Sequence, residues 1–267
     1  MKVSLDLDNQ QLAEQYERVS LERQYQGGRS LVQELDIRGG DSVLDIGAGT
    51  GLLAEYVAEL VGPSGLVIGI DPLPLRIEIA KRRAHPNLSF RVGNAYDLSE
   101  FSEDQFDVVY MNAVFHWLPE KREPLRQILR VLKKGGRLGI SSGAKGNPNP
   151  LHAVRERVLS RAPYNQYHAA SGPVVHRVTA EQLASLLTES RFDLRKVEAR
   201  PSARPQVSPE EAIQFSEASS FGNFLGHLPE ELRGRAREEL KRELETAATR
   251  TRAPRERFQI VAVAVKP

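Results

Sequence analysis

Residues 42–51 read SVLDIGAGTG, in which Gly47, Gly49 and Gly51 alternate with other residues just after an apolar run. Glycine adopts backbone torsions that other residues avoid, and it lets a ligand approach the main chain closely. A helix that starts after such a loop points its free N–H groups at the same place. The stretch therefore predicts the floor of a nucleotide-type site, with a tight strand-to-helix turn that binds no ligand as the alternative.

Two common phosphate-binding motifs do not fit this loop. The dinucleotide fingerprint requires glycine at its sixth position, which is Leu52 when counted from Gly47. A P-loop ends in lysine followed by serine or threonine, and this loop has no such ending. A dinucleotide-dependent oxidoreductase therefore remains only a disfavoured alternative.

Polar residues also end the next two apolar runs. Asp71 closes VIGID, and its two carboxylate oxygens can accept hydrogen bonds from the vicinal hydroxyls of a ribose. Asn94 follows LSFRV and can present its amide to an adenine edge, where the backbone N–H of Ala95 would complete the contact. A solvated carboxylate at a strand end is the alternative for Asp71. In chain order these residues predict a site for an adenosyl group.

The elements that would position these residues alternate between short apolar runs and amphipathic segments. SVLDIG, GLVIGID, LSFRVG, FDVVYMN and RLGISS predict strands, and the segments between several of them have the three- and four-residue apolar spacing of helices. Strands alternating with helices predict a parallel sheet covered on both faces. In such sheets ligands bind beyond the carboxyl ends of the strands, where the glycines, Asp71 and Asn94 would lie.

The second half of the chain changes in pattern. We expect one domain over residues 1–267, with a helical segment at 1–38 and helical cap or lid insertions at 144–178 and 208–250. Thr179 and Ser208 are predicted helix caps. REPLRQILRVLKKGG predicts a helix that ends on glycine, SPEEAIQFSEASSFGNFLGHL predicts another, and FDLRKVEAR and RFQIVAVAVKP predict two further strands.

Composition excludes several classes of function. The chain has no cysteine, which removes disulfides, thiolate metal sites and a cysteine nucleophile, and we expect no metal. A formal net charge of +2 gives no electrostatic argument for nucleic acid or a membrane as partner. The polar N-terminal stretch lacks the apolar run of a signal peptide, and no apolar run is long enough for a membrane span. We therefore expect a cytoplasmic protein that acts on a small molecule.

Five motifs occur in a characteristic order: VLDIGAGTG, GIDP, VGNAYDL, FDVVYMNAVFHW and LRQILRVLKKGGRLGIS. Together they resemble the motifs of Rossmann-like S-adenosylmethionine-dependent methyltransferases, and more closely the small-molecule branch that includes trans-aconitate methyltransferases. The resemblance covers roughly residues 16–142 and the closing strand. It implies an α/β fold with a doubly wound, mostly parallel seven-stranded sheet and a final antiparallel strand. It also implies S-adenosylmethionine as the cofactor.

The resemblance assigns a role to each motif residue. Asp45 and the glycine loop would hold the methionine part of the donor, and Asp71 its ribose. The remaining donor-side residues are Pro72 and Leu73 against the adenine, Asn94 and Ala95 at its edge, Asn112 near the sulfonium, and Tyr16, Arg23 or Gln24 at the amino-acid end. A solvated amphipathic helix is the alternative for the N-terminal segment. Asn94 departs from the family, in which aspartate is more usual, and Ala48 stands where many relatives have cysteine.

The acceptor side is less constrained by the sequence. His116 and Trp117 would face the acceptor, with His116 either a general base or a structural residue beside the indole. Two aromatic groups are further candidates for binding the acceptor: Tyr164, Tyr167 and His168 in a lid, and Phe221 and Phe224 in an apolar cavity. A surface connection and an ordinary core are their alternatives. A protein that binds the donor without catalysis is the alternative function.

Overall fold

The structure, a computed structural model, describes residues 4–20, 24–146, 150–170, 175–201, 207–250 and 257–267, without the side chains of 168–170 and 248–250. The chain divides into two compact units. The sheet unit comprises Leu21–Gly146, Val175–Ala203 and Phe258–Pro267. The helical unit comprises Met1–Ser20, Asn147–Val174 and Arg204–Arg257. The expected single domain with inserted helical segments stays a prediction.

The sheet unit contains a seven-stranded sheet in the order β3-β2-β1-β4-β5-β7-β6. Its strands are β1 (Ser42–Ile46), β2 (Leu66–Asp71), β3 (Leu88–Val92), β4 (Phe106–Asn112), β5 (Leu132–Gly143), β6 (Asp193–Pro201) and β7 (Phe258–Val265). Neighbours from β3 to β5 pair in parallel, whereas β7 is antiparallel to both β5 and β6. The predicted fold class, including the final antiparallel strand, is confirmed.

The helices of the sheet unit are α2 (Gln26–Glu34), α3 (Leu52–Val61), α4 (Pro74–Lys81), α5 (Arg122–Val131) and α7 (Ala180–Glu189). The helical unit contains α1 (Gln10–Ser20), α6 (Pro150–Leu159), α8 (Pro209–Ser219) and α9 (Glu230–Arg250). Short 3-10 helices occupy Phe115–Trp117 and Tyr164–Ala170. The N-terminal segment predicted at 1–38 is thus divided, since α1 belongs to the helical unit and α2 to the sheet unit.

Apolar residues on both faces of the sheet form two separate cores. In β1, Leu44 and Ile46 belong to one hydrophobic cluster and Val43 belongs to the other. Successive residues of a strand point to opposite faces, so Asp45 shares its face with Val43. The register places Asp45 opposite Tyr110 of β4, whose ring belongs to the same cluster as Val43. This alignment brings two polar groups together within an apolar layer.

Local signals placed the starts of two helices correctly. The hydroxyls of Thr179 and Ser208 cap α7 and α8 by accepting the N–H groups of Gln182 and Glu211, so both predicted caps are confirmed. The prediction that the helix REPLRQILRVLKKGG continues to the glycines at 135 and 136 is wrong. The observed helix, α5, ends at Val131, and the next residue, Leu132, begins β5. Leu132 is fully buried and pairs with Phe106, so sheet pairing outweighs the helical pattern.

The helix predicted over 208–228 is also shorter than expected. It ends at Ser219, and Phe221 has a φ of 58°, in the left-handed region that a helix cannot contain. Within the described ranges, no helix combines the length and the apolar character needed to cross a bilayer. The cytoplasmic location stays a prediction.

Candidate functional site

The loop after β1 is folded over the end of β2. The N–H groups of Gly47 and Ala48 both donate to the carbonyl of Ile70, at 2.7 and 2.9 Å. Gly47, Gly49 and Gly51 have φ angles of 80°, 57° and 88°, values at which other residues are strained. Each glycine of the motif therefore meets a backbone requirement.

Close packing explains two of these glycines further. A Cβ on Gly47 would lie 2.2 Å from Cγ2 of Val114, in the loop after β4. A Cβ on Gly51 would lie 2.7 Å from Cζ of Phe90 in β3. These neighbours belong to the protein itself, so packing within the chain already requires glycine at positions 47 and 51.

Asp71 joins the glycine loop to the loop after β2. Its Oδ2 accepts the N–H of Gly49 at 2.9 Å, and its Oδ1 accepts the N–H of Leu73 at 3.0 Å. The side chain is buried, which raises the pKa of Asp71, while the positive charge of Arg76 and both backbone N–H groups lower it. Each carboxylate oxygen keeps a further lone pair for a ligand hydroxyl.

Asp45 lies beneath the same loop and is held by a buried tyrosine. The hydroxyl of Tyr110 donates to Oδ2 of Asp45 at 2.8 Å. Burial raises the pKa of Asp45 to about 7; the Tyr110 hydrogen bond opposes this rise and the negative charge of Asp71 adds to it. The ends of β1 and β2 thus carry two neighbouring buried carboxyl groups, which a cationic ligand would stabilise in their charged form.

Of the four residues predicted at the adenine, Pro72 and Leu73 follow Asp71 directly in the chain, and Asn94 and Ala95 lie in the loop after β3. Pro72 is half-buried, whereas Leu73 is buried and directly precedes α4, which begins with Pro74. In the loop after β3, Ala95 is buried, whereas Asn94 is exposed and its Oδ1 accepts the N–H of Tyr96 at 2.9 Å. The Asn94 amide therefore already stabilises its own turn.

Asn112, at the end of β4, fastens the segment that precedes α2. Its Nδ2 donates to the backbone carbonyl of Gln24 at 2.9 Å. Gly28 in α2 allows this approach, since a Cβ there would lie 2.8 Å from Nδ2 of Asn112. Arg23 lies outside the described residues, and Tyr16 belongs to α1 of the helical unit. The assignment of Tyr16 and Gln24 to the donor stays a prediction.

His116 and Trp117 form the short 3-10 helix after β4. Their ring centroids are 5.2 Å apart with the planes tilted by 40°. Nδ1 of His116 lies 3.1 Å from Oγ of Ser142 near the end of β5, and the carbonyl of His116 accepts the N–H of His176 at 2.7 Å. Both sequence interpretations of His116 remain open, because the same histidine packs beside the indole and hydrogen-bonds through its ring.

The remaining acceptor-side candidates belong to the helical unit. Tyr164 and Phe224 are fully buried in its hydrophobic core, and the Tyr164 hydroxyl donates to Oε1 of Glu239 at 2.9 Å. Tyr167 packs against the same core, Phe221 is half-buried, and the side chain of His168 lies outside the described residues. Phe224 and Tyr164 thus stabilise the core of the helical unit, and their contact with an acceptor stays a prediction.

Sequence reasoning missed several residues that organise this site, namely Gly28, Tyr96, Tyr110, Val114, Lys121 and Ser142. Tyr110 lies within an apolar strand, where no pattern marks its hydroxyl as the partner of Asp45. Ser142 and Lys121 become relevant only once strand register and loop path are known. Within the described ranges, no group of three or more histidine and acidic residues could hold a metal ion.

Known proteins match the part of the chain that carries β1 to β5. Residues 44–140 match the family model described as a methyltransferase domain. An arsenite methyltransferase from Halobacterium salinarum is 28% identical over 205 residues, covering 75% of this chain and 48% of the relative. A demethylmenaquinone methyltransferase from Lactococcus lactis is 42% identical over 103 residues, covering 37% of this chain and 40% of the relative. The chain therefore spans less than half the length of these curated relatives.

Solved structures share the fold at lower identity. Phosphoethanolamine N-methyltransferase 2 of Haemonchus contortus, in complex with S-adenosyl-L-methionine, superposes with a TM-score of 0.62 at 18% identity. The superposition covers 97% of this chain and 57% of that chain. At this identity the likeness concerns the fold alone.

Proposed function

We propose that this chain is a Rossmann-like S-adenosylmethionine-dependent methyltransferase, which the match of residues 44–140 to the methyltransferase-domain model supports, and that it transfers a methyl group to a small organic acceptor by direct displacement. The resemblance to trans-aconitate methyltransferases is a narrower prediction within this proposal. S-adenosylmethionine supplies, when bound, a methyl group already activated by a sulfonium. The protein then has to hold the donor, align the acceptor and exclude water.

One observation carries the proposal: the Asp71 carboxylate holds the N–H groups of Gly49 and Leu73 at once. This arrangement puts the predicted ribose-binding carboxylate directly against the predicted methionine-binding loop. Both oxygens retain acceptor capacity, so vicinal hydroxyls fit without breaking either backbone contact. The residues present therefore suit an adenosyl ligand at the carboxyl ends of β1 and β2.

Asp45 supports the same assignment through its charge. We propose that the Asp45 carboxylate faces the cationic methionine end of the donor, as the family resemblance implies. The Tyr110 hydroxyl fixes the orientation of Asp45 through its hydrogen bond to Oδ2. Asp45 and Asp71 would then bind adjoining parts of one molecule, its methionine and its ribose, in keeping with their places on adjacent strands.

His116 is the residue we propose to accept a proton from an acceptor hydroxyl or amine. Its Nδ1 lies at hydrogen-bond distance from Oγ of Ser142, a contact that orients the imidazole, and histidine is the side chain that most often serves as a general base. Trp117 beside it would supply an apolar wall for the acceptor. A structural role for His116 is the competing interpretation, and the variant His116→Gln tests it through the loss or survival of turnover.

The acceptor is proposed to be organic although matched relatives include an arsenite methyltransferase. A thiophilic metalloid is held by thiolates, the soft ligands of proteins, and this chain contains no cysteine. A small molecule is also favoured over RNA, because acidic and basic residues are interleaved along α9 instead of forming a basic track.

The decisive experiment is a screen with radiolabelled S-adenosylmethionine against pooled metabolites, with arsenite and total RNA as separate arms. Label in an organic product, reduced with Asp71→Ala at a donor concentration below saturation, supports the proposal. Label in RNA or methylated arsenic contradicts the organic acceptor. Tight binding of S-adenosylhomocysteine without turnover on any pool would favour a catalytically silent donor-binding protein. Binding of NADH in place of S-adenosylhomocysteine would return the assignment to an oxidoreductase.

A further inference from the structure

The turn that carries His116 and Trp117 begins in a conformation that needs support. Ala113 has a φ of 61°, a left-handed conformation that costs free energy in a residue other than glycine. The 3-10 helix Phe115–Trp117 follows immediately. Within the turn the Phe115 carbonyl accepts only a long hydrogen bond, 3.4 Å from the N–H of Leu118, so further donors would stabilise the end of this short helix.

Lys121 supplies those donors from a buried position. Its Nζ donates to the carbonyl of Phe115 at 2.9 Å and to that of Leu118 at 2.7 Å. The same atom lies 4.5 Å from the centroid of the Phe115 ring, within reach of a cation–π interaction. Lys121 is only 8% exposed, and in the described part of the chain no ion pair neutralises it. An ammonium in this position binds both ends of one turn.

The residue next to Lys121 is fixed to the surrounding framework. The carboxylate of Glu120 accepts the N–H groups of Arg122 and Glu123, at 2.6 and 2.8 Å, and so caps α5. The Tyr96 hydroxyl donates to the carbonyl of Glu120 at 2.9 Å. Lys121 therefore extends from a rigid base, the capped N-terminus of α5, to the strained turn after β4.

We propose that Lys121 is the positioning residue of the acceptor side: its buried ammonium holds the 115–118 turn, and with it His116 and Trp117, in the conformation that receives the acceptor. The acceptor role of this turn rests on the proposed function. The ordering of the turn by a charge is a property of the protein alone and can be measured without substrate.

Because the contacts of Lys121 depend on its positive charge, we expect the order of the 115–118 turn to depend on pH. Burial lowers the pKa of Lys121 to about 8, and the negative charge of Glu120 opposes the shift. Above that pH the neutral amine donates weaker hydrogen bonds and loses its attraction to the Phe115 ring. The titratable groups on the surrounding elements include His116 in the turn itself, His176, whose backbone N–H binds the His116 carbonyl, and Tyr96, whose pKa burial raises.

Trp117 is the single tryptophan of the chain, so its fluorescence reports on this turn directly. Acrylamide quenching would be followed as pH is raised through about 8 in the wild type, Lys121→Arg, Lys121→Met and Lys134→Met. Lys134 is exposed and serves as the matched control. The wild type and Lys134→Met should lose protection across this range, Lys121→Arg should keep it, and Lys121→Met should lack it throughout.

The proposal is overturned if Lys121→Met is protected like the wild type at neutral pH, or if Lys121→Arg loses protection as the wild type does. Circular dichroism checks that the variants fold. Should Lys121→Met not fold, the comparison of wild type with Lys121→Arg decides alone. His116 is present in both proteins, so its own titration cancels in that comparison.

Calorimetry with S-adenosylhomocysteine separates this proposal from the proposed function. Lys121→Met should bind that probe as the wild type does, since Nζ of Lys121 contacts Phe115 and Leu118, neither of which is assigned to the donor. If the wild type binds none, the proposed function fails and the quenching result still decides the role of Lys121. With an acceptor from the labelled-donor screen, Lys121→Met should raise the KM for acceptor at an unchanged Kd for donor; an unchanged KM would overturn the acceptor role.

Discussion

Oδ2 of Asp71 accepts a hydrogen bond from the N–H of Gly49 at 2.9 Å, so the last residue of β2 fixes the middle of the loop after β1. Oδ1 of the same side chain accepts the N–H of Leu73, where the chain turns toward α4. One buried carboxylate thus sets the relative position of two segments assigned to different parts of the donor. Loss of this carboxylate should affect both segments together.

Asp71→Ala should weaken the binding of S-adenosylhomocysteine by about 1–3 kcal/mol, as expected for lost hydrogen bonds to a charged group. The affinity of Asp71→Asn for S-adenosylhomocysteine should fall between those of the wild type and Asp71→Ala. An amide keeps one oxygen acceptor, but its NH2 group faces a backbone N–H that needs an acceptor. Isothermal titration calorimetry measures the three affinities. Asp97→Asn, an exposed change in the loop after β3, is the control, and equal affinities of Asp71→Ala and wild type would refute the assignment.

Donor binding should depend on pH through Asp45. The pKa of Asp45 is raised to about 7, and a cationic donor favours its carboxylate form. Affinity for S-adenosylmethionine should therefore rise as pH increases through about 7 and level off above it. Asp45→Asn should remove this dependence. Tyr110→Phe removes a hydrogen bond that lowers the pKa of Asp45, so the midpoint of the pH dependence of donor affinity should move to higher pH. Tyr164→Phe, the control, should leave this midpoint unchanged.

The same raised pKa predicts how folding stability changes without ligand. Asp45 retains its proton in the folded protein up to about pH 7, well above its ordinary pKa of 3.8. Its stabilising contribution is therefore fully present below about pH 4, falls progressively as pH rises, and is lost once pH passes about 7. Each pKa unit corresponds to about 1.4 kcal/mol. Between about pH 5 and about pH 8, the wild type should therefore lose stability relative to Asp45→Asn. Urea denaturation of both proteins at the two pH values measures this, and a constant difference would contradict the buried, protonated state.

Gly47→Ala should destabilise the protein by about 2 kcal/mol or more, through left-handed backbone strain and a clash. The clash is the 2.2 Å approach of the new Cβ to Cγ2 of Val114. Gly135→Ala is the matched control, because Gly135 has a similar φ of 75° and nothing lies within 4 Å of its Cβ position. Adding Val114→Ala should recover part of the loss. Thermal unfolding of the single and double variants measures the separate contributions of the backbone strain and of the clash with Val114.

Asn94→Asp should strengthen donor binding. The new carboxylate can keep the acceptor role toward the N–H of Tyr96 and would accept from the adenine amine with charge assistance. The gain should be about 1 kcal/mol, the difference between charged and neutral hydrogen bonds. Calorimetry with S-adenosylhomocysteine measures it, and inosine in place of adenosine in the ligand should abolish the gain. Weaker binding of S-adenosylhomocysteine by Asn94→Asp would contradict the assignment of Asn94 to the adenine edge.

Several features of this protein follow from local sequence alone. Alternating apolar strands and amphipathic helices predict the parallel sheet, because each pattern has a single backbone period that buries its apolar face. Thr179 and Ser208 cap their helices through contacts three residues away, a range that sequence makes visible. The glycine loop and the carboxylate that ends β2 were recognisable for the same reason, since both lie next to an element boundary. The sheet order came from family resemblance.

The contacts that organise the candidate site were decided by tertiary structure. Tyr110 meets Asp45 because the register of β1 and β4 aligns them on one face. Asn112 meets the carbonyl of Gln24 because α2 packs close to the sheet at Gly28. The end of α5 also depends on pairing of Leu132 with distant Phe106. Such contacts join residues far apart in the chain, so their geometry depends on how the strands and helices pack, which local sequence patterns do not encode.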